Sequence, residues 1–184
     1  MQEIRIPDNM KIPEWMAIAG ERIYMIILGI DPGLQSTGFG AIKGDKRRPA
    51  LIRAGYIKTS PKAHISSRLF QIYSDTNTLI KETEPDLVAI ENVFSLVRYP
   101  RAGILLGSVI GVIYLSVFQQ NLSVIEITPK EVKNALVGYG NANKSQIRET
   151  IQKELNMPEG SSFHAADALA VALTAFYRKT SWRT

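Results

Sequence analysis

Two short apolar runs constrain this chain most: Tyr24-Met-Ile-Ile-Leu-Gly-Ile30 and Leu87-Val-Ala-Ile90, each followed at once by an acid, Asp31 and Glu91. Runs this short and this apolar read as buried strands. Asp31 then turns through Pro32 and Gly33, and for that acid alone a turn-forming role is the commoner one. Two acids that each close a buried strand are harder to dismiss, because at the rim of one core their charges repel. A divalent cation would relieve that repulsion.

The remaining segments supply a sheet around those strands. Thr37 to Lys43 follows the first run after a Gly/Ser turn and pairs with it as a hairpin, and Leu51 to Thr59 is a third strand. Apolar residues at Leu69, Ile72, Tyr73, Leu79 and Ile80 give Ser66 to Lys81 a helical stripe, and Pro85 breaks it before the fourth strand at Leu87. Ser123 to Ile127 is the fifth. Thr128, Pro129 and Glu131 form a helix start. Val137 to Asn143 is a loop, Lys144 to Leu155 is helical, and Ser161 or Ser162 caps a last helix reaching about Arg178. Strands and helices in this order predict an α/β fold: a five-stranded mixed sheet with helices on both faces.

Ala102 to Phe118 is uncharged and contains the small pair Gly107 and Gly111. It falls short of the roughly 20 apolar residues of a membrane span. The expectation is a buried helix whose glycines admit another helix closely, within the core or across a dimer.

The chain has 184 residues, enough for one domain with a substantial core. It has no cysteine, which rules out disulfides and thiolate metal sites and suits a reducing cytosol. Twenty-two basic against 17 acidic residues give a net charge of +5, a bias toward polyanionic partners. Residues 1–24 contain no secretory signal pattern and are read as an N-terminal extension open to disorder, with the domain proper at 25–184.

His164 and Asp167 lie three apart at the start of the last helix and so share a face. The positive end of the helix dipole favours a neutral imidazole and an ionised Asp167. Three carboxylates and an imidazole suit Mg²⁺ or Mn²⁺. With two ions roughly 4 Å apart, such a site hydrolyses phosphodiesters.

At this point the residues resemble a family. Ile27 to Gly40 (ILGIDPGLQSTGFG), Val88 to Phe94 (VAIENVF), Ile127 to Ile147 (ITPKEVKNALVGYGNANKSQI) and His164 to Leu173 (HAADALAVAL) are similar to the RuvC family of bacterial Holliday-junction resolvases, with its RNase H-like fold. The resemblance runs from about Met25 to Tyr177. It implies a structure-specific endodeoxyribonuclease of recombination and repair, cytoplasmic, with two Mg²⁺ per subunit and Mn²⁺ as substitute. Asp31, Glu91, His164 and Asp167 are the implied catalytic metal ligands; the place of His164 is an acid in some members. A homodimer nicking two opposed strands of a four-way DNA junction, working with branch-migration proteins and away from membranes, is also implied.

DNA contacts are carried over in the same way. Phe94 takes the place of a wedge against unpaired bases, and Lys133 and Lys144 match basic residues near the scissile phosphates; by charge alone, outside the resemblance, Arg98, Arg101 and Arg148 could extend a phosphate track. From the sequence alone, Phe94 reads as core rather than as a probe, and each lysine as a solvated helix residue. An RNase H-like hydrolase acting on RNA, and a non-catalytic nucleic-acid binder, share these features and stay open here.

Overall fold

The computed structural model describes residues 2–5, 24–45, 48–92, 100–157 and 162–181. Its elements are β1 (Gln2–Arg5), β2 (Met25–Asp31), β3 (Ser36–Gly44), β4 (Pro49–Lys58), α1 (Ile65–Thr83), β5 (Leu87–Glu91), α2 (Pro100–Gln119), β6 (Val124–Ile127), α3 (Pro129–Val137), α4 (Lys144–Leu155) and α5 (Phe163–Ser181). The sheet order is β1-β4-β3-β2-β5-β6. β2, β3 and β4 pair antiparallel, while β5 and β6 add parallel to β2. The two apolar runs thus form the adjacent strands β2 and β5, in the middle of a mixed sheet.

The five expected strands are all present, and a sixth extends them. Gln2–Arg5 pairs antiparallel with the outer edge of β4, from Gln2 opposite Tyr56 to Arg5 opposite Arg53. Four residues of the N-terminal extension are therefore a strand; residues 6–23 lie outside the described set.

Side-chain alternation divides the core into two layers. Leu28, Ile30, Val88 and Ile90 face α1 and α2, where they meet Ile72, Leu79, Ile80, Val109, Ile113 and Val117. Ile27, Leu87 and Ala89 face α3, α4 and α5. Helices on both faces are the outcome, as expected for a sheet with continuous apolar strands.

Local signals fix the helix starts near the sheet's working edge. Thr128 and Glu131 form a reciprocal capping box at α3, and Asn143 and Gln146 do so at α4. Of the two serines before α5, Ser162 places its Oγ 3.4 Å from the Ala165 N–H.

α2 corrects the expectation of a buried helix. Val109, Ile113, Ser116 and Val117 are covered, but Ile104 is 71% and Phe118 78% exposed, and Leu105 and Leu115 are also open. By length and composition Arg101–Gln119 could cross a membrane, with only 22% of it buried within the chain. Polar bonds also tie its C-terminal end to α1: Ser116 Oγ donates to the Tyr73 carbonyl at 3.3 Å, and Gln120 Nε2, one residue beyond α2, donates to Asn77 Oδ1 at 3.4 Å. An apolar sequence all round hides which stripe the fold covers, and here one stripe is left open.

Candidate active site

Along β2, Ile27, Gly29 and Asp31 share one face, and along β5, Leu87, Ala89 and Glu91 share the same one. The parallel register ends with Ile30 opposite Ile90, so the next pair along is Asp31 beside Glu91. The two acids leave the sheet together, at the C-terminal ends of adjacent parallel strands. That is where polar chemistry collects in α/β sheets.

α5 brings the third and fourth groups. It can do so because the sheet beneath it lacks side chains: a Cβ at Gly29 would fall well inside 3.0 Å of the Ala168 carbonyl, and one at Gly38 equally close to that of His164. Gly38 is the β3 partner of Asp31. The first turn of α5 therefore rests on bare backbone directly over the strand ends. His164 Nδ1 lies 3.9 Å from Asp31 Oδ2, and the His164 ring sits against Tyr56, with centroids 5.9 Å apart. Lys144, the first residue of α4, reaches Asp167 Oδ2 with its Nζ at 3.4 Å.

Electrostatics make Asp31 the centre. Burial pushes its carboxyl up to about 8, and the hydrogen bond and charge of Glu91 add to this, followed by the charge of Asp167; Lys144 pulls the other way. Among the described residues, no group of three or more His, Asp or Glu side chains is arranged as it stands to hold a metal ion. The hydrogen bond between Asp31 and Glu91, and the Lys144 ammonium against Asp167, offset part of the repulsion among the clustered carboxylates.

The turn after Asp31 is braced from β3 and from the residue that follows β4. Thr37 Oγ1 donates to the Gly33 carbonyl at 2.7 Å, and Thr59 Oγ1 donates to the Leu34 carbonyl at 2.6 Å. Neither threonine, nor Tyr56, stands out in the sequence. Tyr56 reaches His164 only because the register sets it beside Gly38.

Residues 27–175 match the family described as crossover junction endodeoxyribonuclease RuvC. The chain belongs to the RuvC family. The RuvC of Burkholderia thailandensis is 43% identical over 149 residues, covering 81% of this chain and 82% of that one. The RuvC of Ralstonia pickettii is 39% identical, with coverage of 81% and 82%. Thermus thermophilus RuvC in complex with a Holliday junction substrate superposes with a TM-score of 0.79 at 31% identity, over 85% of this chain and 96% of that one. The yeast mitochondrial Holliday junction resolvase, at 14% identity and a TM-score of 0.60 over 86% and 84% of the chains, shares the fold.

Of the candidate site residues, Asp31, Glu91, His164, Asp167 and Lys144 come together. The others are distributed more widely. Lys133 is half-buried on α3, and Arg101 is exposed in the first turn of α2. Arg148 lies over the ring of Phe163, with its guanidinium carbon 4.0 Å from the ring centroid. Phe94 and Arg98 fall outside the described residues.

Proposed function

We propose that this chain is a metal-dependent endodeoxyribonuclease that resolves four-way DNA junctions by nicking two opposed strands symmetrically. The observation that carries this is the convergence of Asp31, Glu91 and Asp167, from three separate elements, in a chain of the RuvC family. The Thermus relative whose structure contains a Holliday junction supports the substrate class.

The donor set fits a hard divalent cation. Carboxylate oxygens with one imidazole suit Mg²⁺ or Mn²⁺, and the raised Asp31 marks a cluster short of positive charge. Asp31, Glu91, Asp167 and His164 would hold the two ions. When bound, the ions supply water activation and neutralise charge on the phosphate. The chain's own groups do the rest. Asp31 gives up its proton as the site loads, so loading is favoured by rising pH. Lys144 orients Asp167 and offers an ammonium to the scissile phosphate. The face of Tyr56 limits where the His164 ring can swing.

The assembly reading is a homodimer through the open apolar face of α2, giving two sites for two strands. Phe94 as wedge, and Lys133, Arg98, Arg101 and Arg148 as phosphate contacts, complete the DNA surface, and branch-migration proteins complete the cytoplasmic machinery.

Strand-by-strand mapping of nicks in a synthetic four-way junction tests the reading, with Mg²⁺ or Mn²⁺ and with linear duplex and RNA–DNA hybrid as controls. Symmetric paired nicks confined to the junction are expected. Cutting of the hybrid alone would overturn the substrate class, and binding without any cutting would overturn the nuclease.

A further inference from the structure

One carboxylate outside the ligand set is held between two elements. Glu126 of β6 accepts hydrogen bonds on both oxygens: Tyr114 of α2 donates its hydroxyl to Oε1, and Asn92 donates its side-chain N–H to Oε2. Asn92 is the residue after Glu91, and its backbone N–H donates to the Ile127 carbonyl at 2.8 Å. The end of β5 is thus bound to β6 twice, once by backbone and once by side chain. We infer that Glu126 is a positioning residue for Glu91, acting through Asn92 and itself seated by Tyr114; this rests on the nuclease reading above.

The pleat of the strand supplies the mechanism. Glu126 pairs with Ile90, whose side chain faces α1 and α2, while Glu91 points to the opposite face with Asp31. Asn92 follows Ile90 in the alternation and is drawn to the Glu126 side. Asn92 shares a peptide bond with Glu91, so holding its side chain and its N–H together restricts the rotation of the backbone that carries the Glu91 carboxylate. A strand end held only by its last backbone bond opens readily. The clamp removes that freedom at the one residue whose carboxylate must meet Asp31. Solvent-facing hydrogen bonds contribute little to global stability, so the effect is expected in the chemistry rather than in the melting temperature.

The test compares Glu126→Ala, Glu126→Gln, Tyr114→Phe and the double variant Glu126→Ala with Tyr114→Phe against the unaltered full chain. Single-turnover nicking of a four-way junction at saturating protein and Mg²⁺, junction Kd, melting temperature and the Asn92 side-chain amide resonance are measured. Glu126→Ala should slow nicking by about tenfold or more, the scale of a displacement below 1 Å in a catalytic group. Glu126→Gln, which keeps one acceptor oxygen, should lose less. Tyr114→Phe should slow nicking less than Glu126→Ala and add nothing on top of it, since both act through one carboxylate. The Asn92 amide should shift in every variant while Kd and melting temperature hold. Unchanged nicking, or slowing only in step with lost binding or unfolding, overturns the inference. If the unaltered chain nicks no junction, the nuclease reading fails first and takes this one with it.

Discussion

Asp31 is the residue on which two demands meet. Its carboxyl in the folded chain titrates near 8 against an ordinary 3.8, so the folded state holds this proton more tightly than the unfolded state does. The resulting stability is fully present below the ordinary value and is lost as pH rises through 8. Asp31→Asn removes the dependence. In chelator, its melting temperature should exceed that of the unaltered chain by several degrees at pH 9, with the gap closing as pH falls toward 4, as calorimetry would record. The same variant should bind junctions and nick none. Gly38 makes the complementary case, because its missing side chain lets the His164 backbone descend. Gly38→Ala should cost about 1–3 kcal/mol in urea unfolding, the usual cost of overpacking, and should reduce nicking by displacing the first turn of α5. Asp31 and Glu91 were legible because each terminates an apolar run. Gly38 was not, because its reason is a helix more than a hundred positions away.

Among the elements, α2 is where sequence and fold part company. Its uniform apolarity reads as burial, yet the fold covers one stripe and leaves Ile104, Leu115 and Phe118 open. A Cβ at Gly107 or Gly111 would meet nothing within 4 Å. Replacing either with tryptophan should therefore leave the single chain folded and convert dimers into monomers by analytical ultracentrifugation; an unchanged dimer would remove α2 from the assembly. Capping is a local signal that the fold keeps. Thr128 with Glu131 announces α3 locally, and burial plays no part in that signal. β1 lies at the other extreme: Gln-Glu-Ile-Arg has no strand pattern, and only backbone bonds to the β4 edge make it one.

At the scale of the molecule, edge and centre have separate tasks. Removal of residues 1–23 takes away β1, while Asp31, Glu91, Lys144, His164 and Asp167 all follow that stretch in the chain, so nicking rates should be unchanged and the melting temperature should fall slightly with the loss of the β1–β4 pairing. The centre draws on distant stretches, with Asp31 and Glu91 from the sheet, Lys144 from α4, and His164 and Asp167 from α5, the last helix. That order has a consequence during synthesis. A growing chain that has already made every strand of the sheet still lacks His164 and Asp167, because α5 is made after them. Fragments abandoned before α5 emerges are therefore expected to be inert rather than unregulated nucleases, which nicking assays on a chain truncated before Phe163 would record.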